Sequence, residues 1–221
     1  MYLLSDIKDE NYKKWNKSNL PIKYINNNID DFKILGDTEK CKDFNRKMFE
    51  MFLNYCDNLE NNLKNGFGLM ICGSVGIGKT LLLTHLSKKV IEIFEKENLK
   101  IQDEELGESV KYNKFYYIQA TTLYQMIFTS GLSEQELKIR RGIKSIAGLW
   151  IDDISKLNET KSSIEINFLD DIIRYRDLSK LTTMYTSQLP FDELSNTLSK
   201  PIFDMMRSNT LQLTFRGNSQ R

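Results

Sequence analysis

Eight residues constrain this chain more than any other stretch. Gly73-Ser74-Val75-Gly76-Ile77-Gly78-Lys79-Thr80 satisfies G-x-x-x-x-G-K-[ST] at every fixed position. Ahead of it, Gly68-Leu69-Met70-Ile71-Cys72 is a short apolar run that reads as a buried strand. Behind it, Leu81, Leu82, Leu83, Leu86, Val90, Ile93 and Phe94 recur at helical spacing. Strand, glycine loop and helix are the context in which this pattern has a mechanism. The glycines let successive backbone N–H groups turn inward around a phosphate, and the positive end of the helix adds to the attraction. Lys79 is then expected to reach the β- and γ-phosphates and the Thr80 hydroxyl to ligate Mg2+. A chance glycine-rich turn would lack both flanks. The stretch is read as a site for a nucleotide with Mg2+.

The remaining chain narrows the class. At 221 residues it suits one domain with a sizeable core, with or without a short appendage. A formal net charge of +1 excludes a grossly basic protein but not a local basic face. Cys41, Cys56 and Cys72 have no zinc-motif spacing and read as reduced thiols. Residues 1–14 carry scattered charges and no signal-peptide core, and no apolar run approaches a membrane span. The expectation is a soluble, cytoplasmic protein with no membrane partner.

Residues 1–20 are rich in Lys, Asn and Asp, with single aromatics at Tyr12 and Trp15. A disordered arm, a small helix and a partner-docking peptide all fit them. Pro21-Ile22-Lys23-Tyr24 leads into a loop-like stretch through Gly36. From Asp43 a helical period runs through Phe44, Met48, Phe52, Cys56, Leu59 and Leu63, closed by Asn65-Gly66. The loop helix fades near Glu97. Phe115-Tyr116-Tyr117-Ile118 reads as a second strand and Thr121 to Phe128 as a helix. Ser133-Glu134-Gln135-Glu136 is a capping box opening a helix that carries Lys138, Arg140, Arg141 and Lys144.

Ala147 to Asp153 is an apolar strand ending in two carboxylates. Strand-end acids beside a phosphate loop hold the metal and orient the attacking water. Asp152 is the metal-side candidate and Asp153 the candidate for polarising water. Ile164, Phe168, Leu169, Ile172 and Ile173 form the apolar face of a helix carrying Arg174 and Arg176. Leu181 to Thr186 reads as a fourth strand, Lys200 to Ser208 as a short amphipathic helix ending at Arg207, and Thr210 to Phe215 as a fifth strand. Alternating strands and helices imply a parallel sheet covered on both faces. His85, on the loop helix, reads as structural.

With these residues in view, the chain from about Pro21 to Arg221 resembles the DnaC/IstB-type branch of the AAA+ ATPases. That branch holds helicase loaders and the ATP-binding helpers of insertion sequences. The Pro-Ile-Lys-Tyr entry, GSVGIGKT, LWIDDI, IIRYR, TSQLP and the closing FRGNSQR carry the resemblance in order. It implies residues 1–20 as an N-terminal arm and 21–221 as an AAA+ domain. That domain is an α/β P-loop NTPase with a five-stranded parallel sheet flanked by helices and no C-terminal helical lid. It implies that Gln188 contacts the γ-phosphate or its water, and that Arg207 is presented to a neighbouring subunit's ATP. An arginine supplied in trans is worth roughly 10³–10⁵ in rate in well-studied NTPases. Two features depart from the common AAA+ pattern: Asp153 stands where many members have Glu, and only about twenty residues precede the matched region.

The resemblance gives three functional expectations. The first is a helicase loader that binds ATP, oligomerises, contacts single-stranded DNA through Thr121–Lys144, and delivers a hexameric replicative helicase. Lys138, Arg140, Arg141 and Lys144 would meet phosphates, with Tyr124 and Phe128 available for stacking. A solvated basic face with those aromatics in the core fits the same residues. Arg174 and Arg176 read either as intersubunit or DNA contacts or as an ordinary solvated face. The second expectation is an ATP-binding transposition helper partnered with a transposase. The third is a nucleotide-gated binding module with little hydrolysis. A small-molecule kinase shares the loop, but no stretch suggests an acceptor pocket.

Overall fold

The computed structural model describes residues 18–21, 24, 26–96, 115–128, 142–159 and 163–217. Five parallel strands form one sheet: β1 (Gly68–Cys72), β2 (Phe115–Gln119), β3 (Gly148–Asp152), β4 (Thr182–Ser187) and β5 (Thr210–Thr214). Their order is β2-β3-β4-β1-β5, so β1 is an interior strand held between β4 and the edge strand β5. Among the described residues six α-helices accompany them: α1 (Glu39–Asp57), α2 (Leu59–Lys64), α3 (Lys79–Lys96), α4 (Ala120–Phe128), α5 (Ser163–Leu178) and α6 (Lys200–Asn209). Among the described residues β5 is the last element.

The period-two alternation of a strand divides the core into two halves. From β1, Leu69 and Ile71 join one apolar cluster with α1, α2 and α3. Met70 and Cys72 point the other way, into a cluster with α4, α5 and α6. Trp150 and Met184 enter the first cluster, while Leu149, Ile151 and Tyr185 enter the second. All five residues of β1 and all six of β4 are buried, which explains their near-continuous apolar or hydroxyl-bearing sequence.

Local chemistry moves several boundaries from those expected. The helix expected from Asp43 begins at Glu39, because the Thr38 side chain accepts from Cys41 N at 3.2 Å and caps it. The same apolar stripe then divides at Asn58, which closes α1 and opens α2. The loop-like entry contains a 3-10 turn, Ile29–Asp31, held by a capping box from Asn28. Another 3-10 turn, Phe191–Asn196, precedes α6. Ser18 and Leu20 are buried; Ser18 O accepts from Tyr117 N at 2.9 Å and Asn19 Nδ2 donates to Tyr117 O at 2.9 Å. This short piece therefore lies along the outer edge of β2. The helix expected after Ser133 falls outside the described residues.

Arg176 overturns both roles considered for it. It is 0 % exposed, so it is neither a solvated charge nor a surface contact. Its Nη1 donates to the carbonyls of Ile143, Lys144 and Ile146 at 3.3, 3.1 and 2.6 Å. Nη2 donates to Thr182 O at 2.6 Å and Nε to Thr183 Oγ1 at 2.8 Å. One planar fork thus ties the approach to β3 to the start of β4. Burial pushes its pKa below the ordinary arginine value. Arg174 remains on the surface and pairs with Asp170 at 2.6 Å. Truncating Arg176 to Met should lower unfolding stability in urea by about 3 kcal/mol, because buried carbonyls lose their donor. Arg176→Lys should recover only part of the loss, since an ammonium lacks the fork.

Candidate active site

The strand ends converge because β1, β3 and β4 are parallel and in register. Cys72 lies opposite Ser187, and Ile151 opposite Tyr185. The phosphate loop leaves β1 at Cys72 and enters α3 at Lys79. Gly73, Gly76 and Gly78 adopt φ of 148°, 84° and 95°. These values favour glycine and permit the inward turn of the backbone. A Cβ on Gly78 would also lie 2.7 Å from the Phe32 ring, so the loop is packed from behind. Val75 is exposed at the loop's outer bend, whereas Ile77 is buried beneath it. Thr80, in the first turn of α3, is half-buried.

The chain's last described residues brace this loop. Phe215 N donates to Cys72 O at 2.9 Å, and Ser74 Oγ donates to Gly217 O at 2.8 Å. Asn45, 1 % exposed, accepts from Arg216 N at 2.8 Å and donates to Arg216 O and Leu35 O at 2.6 and 2.5 Å. A single buried amide therefore joins α1, the entry segment and the end of β5. Sequence reading noticed FRGNSQR only as a pattern and missed Asn45.

Lys79 turns into its own loop. Its Nζ donates to Gly73 O at 2.5 Å and Ser74 O at 2.9 Å. Burial lowers its pKa, while Asp153, Asp152 and Cys72 pull it back up. Asp152 ends β3, with Oδ1 accepting from Thr186 Oγ1 at 2.5 Å and Oδ2 from Tyr117 OH at 2.9 Å. Asp153 lies just past the strand at φ 59°, the left-handed region, which is uncommon for a residue with a side chain. Its carboxylate accepts from Ser155 Oγ at 2.8 Å and Gln188 Nε2 at 2.6 Å, and pairs with Lys156 at 3.0 Å. Burial alone would raise this carboxyl's pKa; bonds from Ser155, Lys156 and Gln188 outweigh it and hold the group below the ordinary aspartate value.

The structure thus brings Lys79, Asp152, Asp153 and Gln188 to one end of the sheet. Tyr117, Ser155, Lys156 and Thr186 join them and were missed, because none belongs to a spacing motif. The donor set fits a nucleotide with a hard cation. The loop offers backbone N–H groups and an ammonium, and Thr80 and Asp152 offer the hydroxyl and carboxylate oxygens that Mg2+ takes.

Arg207 stands apart from this group. It lies in the last turn of α6, and Thr210 just beyond pairs with Gly68 at the far end of β1 from the loop. Its side chain is 61 % exposed, with Nη2 at 3.9 Å from Asp192 Oδ1 and the guanidinium 5.4 Å from the Phe203 ring centroid. Lys144, near the approach to β3, pairs with Asp171. Tyr124 is buried in the core, so it is not a surface stacking residue. Lys138, Arg140, Arg141 and the side chain of Phe128 lie outside the described residues. His85 is half-buried on α3 beside Phe52, with ring centroids 6.5 Å apart. Cys56 and Cys72 are buried free thiols, and Cys41 is a partly exposed one.

No family model matches the sequence, and no curated protein matches it. Solved structures do match. A crystal structure of the DnaC helicase loader superposes with a TM-score of 0.63 at 19 % identity, covering 89 % of this chain and 100 % of that one. A putative primosome component from Streptococcus pyogenes serotype M3 gives 0.61 at 17 % identity, covering 96 % of this chain and 100 % of that one. The replication initiator DnaA bound to AMPPCP and single-stranded DNA gives 0.58 at 18 % identity, covering 90 % of this chain and 51 % of that one.

The state of Asp153 can be checked directly. A carbon-detected NMR titration should put its midpoint below the ordinary aspartate value, and Ser155→Ala should move it up. Because the folded pKa is depressed, its stabilising contribution is present above the unfolded pKa of about 3.9. It is lost as pH falls through the folded value. Asp153→Asn should remove that part of the acid dependence.

Sheet order, helix placement and these superpositions agree: the chain has an α/β fold with a five-stranded parallel sheet, the fold seen in the DnaC helicase loader and DnaI structures.

Proposed function

We propose that the chain is an ATP-dependent helicase loader. It binds ATP with Mg2+, assembles with further copies, contacts single-stranded DNA and delivers a hexameric replicative helicase. The observation that carries this reading is the gathering of the phosphate loop, two strand-end acids and Gln188 on a fold that matches a DnaC helicase loader over the whole of that chain. Match and site together support an assembly ATPase more than a small-molecule kinase.

The residues divide the work. Backbone N–H groups of Gly73–Thr80 and the Lys79 ammonium hold phosphates, for which Lys79 must leave the Gly73 and Ser74 carbonyls. Thr80 and Asp152 would hold the metal, which neutralises charge on the β- and γ-phosphates. Asp153 orients water, and Gln188, already bonded to it, aligns that pair. Arg207 serves a neighbour: it lies in the last turn of α6, whose exit at Thr210 pairs with Gly68 at the end of β1 away from the loop. Its Asp192 contact is solvent-exposed and easily exchanged. Hydrolysis is accordingly weak in the isolated chain. For DNA, Lys138, Arg140 and Arg141 are the proposed phosphate contacts. Lys144 would first have to leave Asp171.

The decisive experiment is size-exclusion chromatography with the host's replicative helicase, with and without ATP and Mg2+. Comigration supports the loader. Its absence, with ATP-dependent DNA binding by this protein alone, turns the reading to a transposition helper. Lys79→Ala should abolish nucleotide binding. Arg207→Ala should leave binding intact and remove assembly-stimulated hydrolysis; retained stimulation would exclude an arginine acting in trans. Neutralising Lys138, Arg140 and Arg141 should flatten the salt dependence of single-strand binding by about 2 in log–log slope.

A further inference from the structure

We propose that Thr186 is the positioning residue of this site: one buried hydroxyl sets both strand-end acids, and Tyr117 is a second lock on Asp152. The inference deepens the nucleotide–metal reading and rests on it.

Thr186 lies in β4, beside β3, and is 1 % exposed. Ile151 and Tyr185 are in register, so one residue further along Thr186 comes beside Asp152. Its Oγ1 is within 2.5 Å of Asp152 Oδ1 and 2.8 Å of Asp153 N. The proton assignment leaves no alternative. An ionised carboxylate only accepts and a backbone N–H only donates, so the hydroxyl gives its single proton to Asp152 and receives one from Asp153. Tyr117, buried in β2, donates to the other oxygen of Asp152 at 2.9 Å.

Each oxygen of Asp152 thereby has one neutral protein donor and keeps lone-pair capacity for a hydrated cation. A lysine or arginine in either place would fix the carboxylate equally well but cancel its charge. Two hydroxyls orient it and leave the charge available to Mg2+, which binds with several of its waters. The bond to Asp153 N acts on the second acid. It helps hold the backbone at φ 59°, from which the side chain reaches Ser155 and Gln188. Thr186 touches no substrate position itself; it acts through the two acids.

The test uses the full chain and three variants: Thr186→Val, Thr186→Ser and Tyr117→Phe. Mg2+ is titrated at fixed protein and fluorescent ATP analogue, and nucleotide affinity is also measured in EDTA. Thr186→Val should raise the half-saturating Mg2+ about tenfold, the scale seen when a partner of a metal ligand is lost. Tyr117→Phe should raise it severalfold. Thr186→Ser, which keeps the hydroxyl, should stay near wild type, and affinity in EDTA should be the same in all four proteins. If Ser and Val behave alike, or Val leaves the Mg2+ midpoint where it was, the positioning role is wrong. Should Val fail to fold, Tyr117→Phe and Thr186→Ser decide: an unmoved midpoint in Phe, or a raised one in Ser, overturns the proposal. A wild-type protein that binds the nucleotide with no Mg2+ dependence instead overturns the metal reading beneath it, which separates the two failures.

Discussion

The site depends on the hydrogen-bonded register of β1 between β4 and β5. Cys72 is aligned with Ser187 on one side and Thr214 on the other. Gly73 N continues the ladder to Ser187 O at 3.1 Å, one residue past the strand. The phosphate loop therefore starts from a backbone fixed on both sides. A parallel strand buried on both faces has no low-cost way to slide, since a one-residue slip would exchange its two apolar clusters. Everything chemical in the molecule is placed by reference to that strand end.

Behind the loop a second support comes from distant sequence. Asn45 lies in the first helix and Arg216 near the end of the chain, yet one amide satisfies both backbone groups of Arg216. Phe32 lies over Gly78, stacked on Phe49 with centroids 4.8 Å apart. The glycine loop is thus gripped by the entry segment, α1 and the exit of β5 together. Loosening any of them would spoil the geometry of N–H groups that never touch those elements.

Much of this was legible in sequence because it is local or periodic. The glycine loop carries its own flanks, and the five strands appear as apolar or β-branched runs. Arg176 shows where reading by residue type misleads. It follows Ile172 by four and Ile173 by three, so helical period places it on the buried stripe; its charge argued for solvent, and period was right. Asn58 broke the first helix without interrupting its apolar spacing, so the stripe gave no sign of the break. Tyr117 and Thr186 were invisible for a different reason. A strand residue's neighbour across the sheet depends on strand order and register, which no local pattern records. Ser155 and Lys156 turn back on Asp153 only because the chain enters a 3-10 turn directly after it. Lys144 looked like part of a basic cluster until folding supplied Asp171 from another helix.

The short stretch at Ser18 and Asn19 has a consequence for how copies of the chain can meet. An edge strand with free backbone groups is a template on which another polypeptide can add itself as a further strand. In β2 the outward N–H and C=O of Tyr117 are already engaged by Ser18 and Asn19. Pairing of a further strand along that edge is blocked at its midpoint, so another polypeptide could add there only by displacing Ser18 and Asn19.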